Sequence, residues 1–210
     1  MQLARLFYPK YAVVWMTIPV VLLYAYASGP PARSAGAPGE QTCSQSGCHV
    51  GTAVNSTNGA VQIAYSGGTS YVPGERGKFT VTITDRTTRQ RWGFQASARL
   101  ASNLQNGQAG SLIAVSGTEV QCEDGRTLPC RETAAVQFIN HSAASTRNTF
   151  EFEWTAPAAG AGNVQVFVAG NAANGDGGTS GDRIYTANIT LTPQATSGPR
   201  PAVTSGGVVN

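Results

Sequence analysis

Cys43, Cys48 and His49 fall within one short segment, Cys43-Ser-Gln-Ser-Gly-Cys48-His49, a C-x4-C-H arrangement. Two thiols followed at once by an imidazole form the donor set of covalently attached haem. In that chemistry the thiols add to the two vinyl groups and the adjacent His ligates iron. The familiar form is C-x-x-C-H, and the loop between the thiols here is two residues longer. The same spacing also suits a small disulfide loop with His49 exposed beside it, and both readings stand.

The chain has two histidines, and the second is His141. Both methionines, Met1 and Met16, lie in the N-terminal segment, so an exported domain cleaved of that segment has no Met to offer as an axial ligand. Haem attached at Cys43 and Cys48 therefore takes His49 and His141 as its axial pair. The plainer role for His141 is a hydrogen-bonded residue at the end of a strand. Two Cys and two His could also serve zinc, though thiols in an oxidising compartment tend to pair instead.

The remaining cysteines, Cys122 and Cys130, bracket seven residues that contain the turn-prone Asp124-Gly125. A disulfide stapling a hairpin tip is expected there, with a stabilising role. The Gly/Asn-rich loop 170–182 offers Asn171, Asn174, Asp176 and Asp182 as oxygen donors for calcium. Its spacing does not follow the EF-hand loop, and its composition is what any tight loop requires. No G-x-S-x-G, H-E-x-x-H or phosphate-cradling glycine loop occurs, so the chain reads as a carrier or binding protein and not as an enzyme. Sequons at Asn55, Asn140 and Asn188 matter only in a host that glycosylates.

The elements that must position these residues are strands. Phe79, Val81 and Ile83 alternate with threonines. Phe94, Ala96, Ala98 and Leu100 alternate with Gln95, Ser97 and Arg99, and Phe150, Phe152 and Trp154 with Glu151 and Glu153. Val136–Phe138, Val164–Val168 and Tyr185–Leu191 repeat the pattern, with weaker strands at Val61–Tyr65 and Ser111–Val115. Turn residues separate the runs, including Gly67-Gly68, Pro73-Gly74 and the loop from Gly170 to Gly181. About eight short strands with no helical periodicity between them imply an all-β fold, a two-sheet antiparallel sandwich. Phe94, Phe138, Phe152 and Trp154 are expected between the sheets.

The N-terminus predicts export. Arg5 and Lys10 precede a 17-residue apolar run, Tyr11–Ala27, that ends in the small-x-small pattern Ala25-Tyr26-Ala27. A signal peptidase could cut before Ser28; left uncut, the run would anchor the chain. The expected organisation is a signal helix or anchor over 1–27, a Pro/Gly/Ala-rich lead-in over 28–41, one β-sandwich over 42–193 and a tail over 194–210. Without Arg5 and Lys10 the chain carries 12 basic and 11 acidic residues, a net of +1. That balance gives no electrostatic footprint for nucleic acid or an anionic membrane surface.

Several segments, taken in order, resemble the reelin-domain-like proteins of bacteria, the choice-of-anchor type. They are Gly36-Ala-Pro-Gly-Glu40, Tyr71-Val-Pro-Gly-Glu75, Trp92-Gly-Phe94, Ala98-Arg-Leu100, Phe138-Ile-Asn-His141, Phe150-Glu-Phe-Glu-Trp154 and Val168-Ala-Gly-Asn-Ala-Ala-Asn174. The resemblance spans roughly Gly36 to Leu191 and implies a reelin-like β-sandwich in the periplasm, at the cell surface or secreted. In such relatives the N-terminal segment often carries a C-x-x-C-H site, and a His stands where His141 does. The resemblance thus implies haem attachment at Cys43 and Cys48 with ligation by His49 and His141. Two functions follow. One is a monohaem electron carrier with a redox partner. The other is an extracellular interaction module that binds a polymer or protein, with Cys43–Cys48 a structural disulfide. Membrane contact is expected only through an uncleaved N-terminal segment.

Overall fold

The structure is a computed structural model that describes residues 28–44 and 49–195. The expected signal helix or anchor over 1–27, Cys48 and the expected tail beyond residue 195 lie outside the described residues. Ten strands form: β1 (Gly59–Tyr65), β2 (Ser70–Tyr71), β3 (Arg76–Asp85), β4 (Arg91–Leu100), β5 (Ser111–Ile113), β6 (Thr118–Cys122), β7 (Gln137–His141), β8 (Thr149–Thr155), β9 (Val164–Ala173) and β10 (Arg183–Pro193). They build a four-stranded sheet in the order β1-β3-β8-β5 and a six-stranded sheet in the order β2-β10-β9-β4-β7-β6. Every pairing is antiparallel except the short β2–β10 contact. Among the described residues no helix is long and apolar enough to cross a membrane.

The expected sandwich therefore forms, and all eight expected strands are present within it. The two additional strands carry little periodicity: β2 has two residues, and β6 has Val120 as its one large apolar side chain. The sheets meet through aromatic residues. Phe79 stacks on Phe152 at 5.0 Å between centroids, and Phe94 packs on Phe150 at 4.8 Å. Trp154 is fully buried and donates its indole N–H to Ala109 O at 2.8 Å, which satisfies the one polar atom it brings into the core.

Three expectations need correction. Phe138 does not lie between the sheets but in a second cluster with Ala35, Ala37, Val136 and Phe167 on the outer face of the six-stranded sheet. The register of β7 turns Ile139 inward instead, and a one-residue offset sends neighbours to opposite faces. β9 runs on to Ala173, through the first residues of the expected loop. Finally, the polar side of β4 is not solvated: Gln95, Ser97 and Arg99 are all fully buried.

The lead-in explains the buried polar side. Residues 28–44 cross the outer face of the six-stranded sheet and supply the partners that β4 needs. Ser34 N donates to Gln95 Oε1 at 2.6 Å, and Gln95 Nε2 donates to Pro31 O at 3.0 Å. Arg99 pairs with Glu40, donates to Ser97 Oγ at 2.8 Å and lies over the Phe138 ring at 5.1 Å. Burial pushes the Glu40 carboxyl above its usual range despite the Arg99 guanidinium beside it. A buried ion pair of this kind contributes less than its Coulomb energy suggests, but loss of one partner strands the other charge at a cost of about 3–5 kcal/mol. Asn140 is also buried, holding Gln121 at 3.0 Å and Gln95 at 3.3 Å, so its sequon is closed to a glycan in the folded domain.

A second polar tie joins the sheets. Asp85, at the end of β3, accepts from Tyr185 Oη at 2.7 Å and Arg183 Nη1 at 3.2 Å, both on β10. Burial alone would raise its pKa, but hydrogen bonds from Thr87 and Tyr185 and the charge of Arg89 outweigh burial and bring it from 3.8 down to about 2. A depressed carboxylate stabilises the fold above its unfolded pKa and loses that contribution as pH falls through the folded value.

Two predictions follow from these ties. Glu40→Ala should lower the thermal midpoint, followed by circular dichroism, on the order of 10 °C; an unchanged midpoint would remove the pair from the interactions that hold the lead-in. Stability should fall as pH drops from about 4 to about 2, and Asp85→Asn should abolish up to ~2 kcal/mol of that dependence in urea titrations. An equal slope in wild type and variant would show that other carboxylates cause it.

Candidate functional site

The lead-in does not cover the whole outer face. It lies over β4 from Gln95 to Arg99 and leaves open the end where Gly93 pairs with Asn171 of β9. A cavity of about 280 Å³ occupies this end, with Pro30 and Cys43 of the lead-in among its walls and Trp92, Phe94, His49 and His141 on its other sides. Its lining is predominantly apolar, and exposed residues such as Arg91, Ala144 and Gly177 form the mouth. The two histidines, from distant parts of the sequence, thus line one cavity together with the first cysteine.

His49 is held by the backbone and by a carboxylate. His49 N donates to Cys43 O at 3.2 Å, and Val50 N donates to Thr179 O at 2.8 Å, which fixes the Cys-His segment against the Gly/Asn-rich loop. The ring Nδ1 lies 2.6 Å from Asp182 Oδ2. Asp182 is buried just before β10, and its other oxygen accepts from Asn174 N at 2.9 Å. Asn171 Nδ2 lies 3.2 Å from His49 Nε2 and 3.4 Å from Nδ1. Two such similar distances place the amide across the ring, in line with neither nitrogen's lone pair. Asn171 Oδ1 is buried without a hydrogen-bond partner.

His141 ends β7, where the β4–β7 ladder stops and an imidazole replaces the next backbone partner. Its Nδ1 lies 3.0 Å from Phe94 N and 3.2 Å from Phe94 O. Burial is the main influence that lowers its pKa; the Phe94 hydrogen bond opposes this, and the nearby His49 adds to it. With Phe94 N donating to Nδ1 the ring proton lies on Nε2; donation from Nδ1 to Phe94 O is the other tautomer, and it is the one that would leave the Nε2 lone pair available. Gly93 makes room for the ring: a Cβ at this position would stand 2.5 Å from His141 Cε1.

The other candidate residues lie elsewhere. Cys122 and Cys130 form the expected disulfide. It closes part of the connection from β6 to β7, with Cys122 opposite Gln137, at the other end of β7 from His141. The side chains of the Gly/Asn-rich loop bond within the protein: Asn174 Nδ2 donates to Asp176 Oδ2 at 2.9 Å, and Gly178 N donates to Asp176 Oδ1 at 2.7 Å. Among the described residues no three His, Cys, Asp or Glu gather as a metal cage. Asp182 appeared in the sequence only as a loop oxygen donor, and its partnership with His49 has no local signal. Gly93 had one, since a glycine inside a strand often marks a close approach.

The Reeler domain family model matches residues 41–173. The chain belongs to the Reeler domain family. The span takes in Cys43, His49, Gly93, His141 and Asn171 and ends before Asp182. The chain is similar to the human F-spondin reeler domain at 18% identity, over 68% of this chain and 94% of that one, with a TM-score of 0.47. A second structure, the Reelin-N domain of F-spondin, is similar at 19% identity over 68% and 91% of the two chains, with a TM-score of 0.46. A conjugative transposon lipoprotein from Bacteroides eggerthii is similar at 9% identity over 64% and 98%, with a TM-score of 0.30. No match was found among curated proteins.

The dependence of this Reeler domain's cavity on Gly93 is testable. Gly93→Ala should displace the His141 ring, cost about 1–3 kcal/mol in stability and shift the His141 ring resonances in NMR spectra. Unmoved resonances with wild-type stability would show that the ring does not need the space.

Proposed function

We propose that this Reeler-domain chain acts outside the cytoplasm as a one-electron carrier. On this reading Cys43 and Cys48 would hold a c-type haem, and His49 and His141 would be the side chains that ligate its iron. The observation that carries the reading is the meeting of His49 and His141, the chain's two histidines, on one apolar cavity that Cys43 also lines. Cys48 lies outside the described residues and enters through its place beside His49 in the sequence.

The donor chemistry fits. His49 has its Nδ1 beside Asp182 Oδ2, and His141 has its Nδ1 between Phe94 N and Phe94 O, so a metal at His141 Nε2 would require the tautomer that donates to the carbonyl. Metal-bound histidines characteristically use their second nitrogen in this way, which fixes tautomer and ring orientation. Gly93 leaves the space that His141 fills. When bound, haem supplies a reversible one-electron couple. The chain's own part is to hold the two imidazoles in place and to keep water from them with Trp92 and Phe94. Its open mouth leaves an approach for a one-electron donor and a one-electron acceptor.

Membership of the Reeler family favours a second reading, an extracellular interaction module with Cys43–Cys48 a disulfide and the mouth of the cavity binding a polymer or protein. Expression of the full chain with c-type cytochrome maturation machinery separates the two. The carrier predicts a haem-staining band on a denaturing gel at the mature mass. It also predicts that His141→Ala keeps the band while changing the visible spectrum of the iron. A blank lane beside a stained control cytochrome, with an intact mass that fits two disulfides, would establish the module instead.

A further inference from the structure

We infer that Asp182 is the positioning residue of this site: its carboxylate locks His49 with the proton on Nδ1 and biases a metal bound at Nε2 toward its oxidised state. The inference rests on the reading of the cavity as a haem site, and it adds a determinant of redox potential from beyond the span that the family model matches.

Asp182 is built to act on one group. Its side chain is 2% exposed, and its only ion pair among the described residues is with His49. The arginines that could neutralise it are committed elsewhere. Arg183 bonds Asp85 at 3.2 Å, and Arg89 donates to Gly181 O at 2.8 Å and pairs with Asp85 at 3.6 Å. The carboxylate cannot swing away from the ring, because Asn174 N holds Oδ1 at 2.9 Å and the following residue, Arg183, pairs with Ala172 in the β9–β10 ladder.

The 2.6 Å contact between Nδ1 and Oδ2 is in the range of a charge-assisted hydrogen bond. An acceptor that carries a full charge draws the Nδ1 proton and leaves more electron density on Nε2. It also places an uncompensated anion close to any metal on that nitrogen. Both effects favour the more positive oxidation state. His141 has nothing equivalent, since its Nδ1 meets only the neutral peptide groups of Phe94, N at 3.0 Å and O at 3.2 Å. The two histidines are thus unequal ligands, and the bias comes from the His49 side.

Asp182→Asn tests the assignment, because it keeps an oxygen for Asn174 N while removing the charge opposite Nδ1. The full chain and the variant are produced with c-type maturation machinery and titrated by spectroelectrochemistry. The expected result is attached haem in both proteins, with the variant losing about tenfold in preference for ferric over ferrous iron. For one electron this is an upward shift of ~59 mV. Attached haem with equal potentials would overturn the role of Asp182 and leave the haem reading standing. Absence of haem from the wild type would overturn both. If the variant does not fold, the tautomer of His49 in the wild-type apoprotein decides the matter by nitrogen-15 NMR at alkaline pH. A protonated Nδ1 supports the assignment, and a protonated Nε2 overturns it.

Discussion

The covering of the outer face of the six-stranded sheet by residues 28–44 is the constraint on which the rest of the structure depends. Without the cover, Gln95, Ser97 and Arg99 would be ordinary solvent-facing residues of a half-buried strand. With it they become the buried attachment points of a strap, each supplied with partners from the lead-in or from neighbouring strands. Buried polar groups impose geometry because an unsatisfied donor or acceptor is costly. The Glu40–Arg99 pair therefore sets where the strap can lie, and the strap's position sets where the sheet remains uncovered. The cavity is what the strap leaves open.

The same logic orders the site. The strap brings Pro30 and Cys43 to the edge of the open region, and the loop before β1 carries His49 across to the Gly/Asn-rich loop. β7 ends at the point where His141 can substitute a ring nitrogen for a backbone partner of Phe94. No single element makes the cavity; it lies where four segments that are distant in the chain converge on the end of β4. The disulfide, at the far end of β7, supports the edge of the sheet and contributes nothing to this convergence.

The sandwich was legible because its strands alternate: Phe79, Val81 and Ile83 could face the core only if the threonines between them faced out. His49 and His141 stood out in the sequence because the chain has two histidines and one of them follows a cysteine directly, and both line one cavity in the structure. Alternation misled where both faces of a strand are buried. In β4 the polar residues looked solvated, and in β7 Phe138 looked internal, because nothing in either strand reports the strap that covers them. Asp182 was unreadable as a partner of His49 because the two are 133 residues apart and meet only where Val50 bonds to Thr179 in the folded loop. A similar argument applies to Gly93, whose small size matters only once the His141 ring is known to lie against it.

The distance in sequence between His49 and Asp182 has a consequence for the order of events in a chain that leaves the cytoplasm N-terminus first. The segment with the two thiols and the first histidine emerges at the beginning, while Asp182 and β10 emerge near the end. Until then the strap has no complete sheet to lie on, and Arg99 and His141 have yet to find their places. The thiols therefore spend the interval of export in an open, unfolded segment, accessible to whatever enzyme acts on them. Closure of the last strands then buries Cys43 and ends that access. Any covalent attachment at this segment would belong to the translocating chain, and the folded domain would preserve its result.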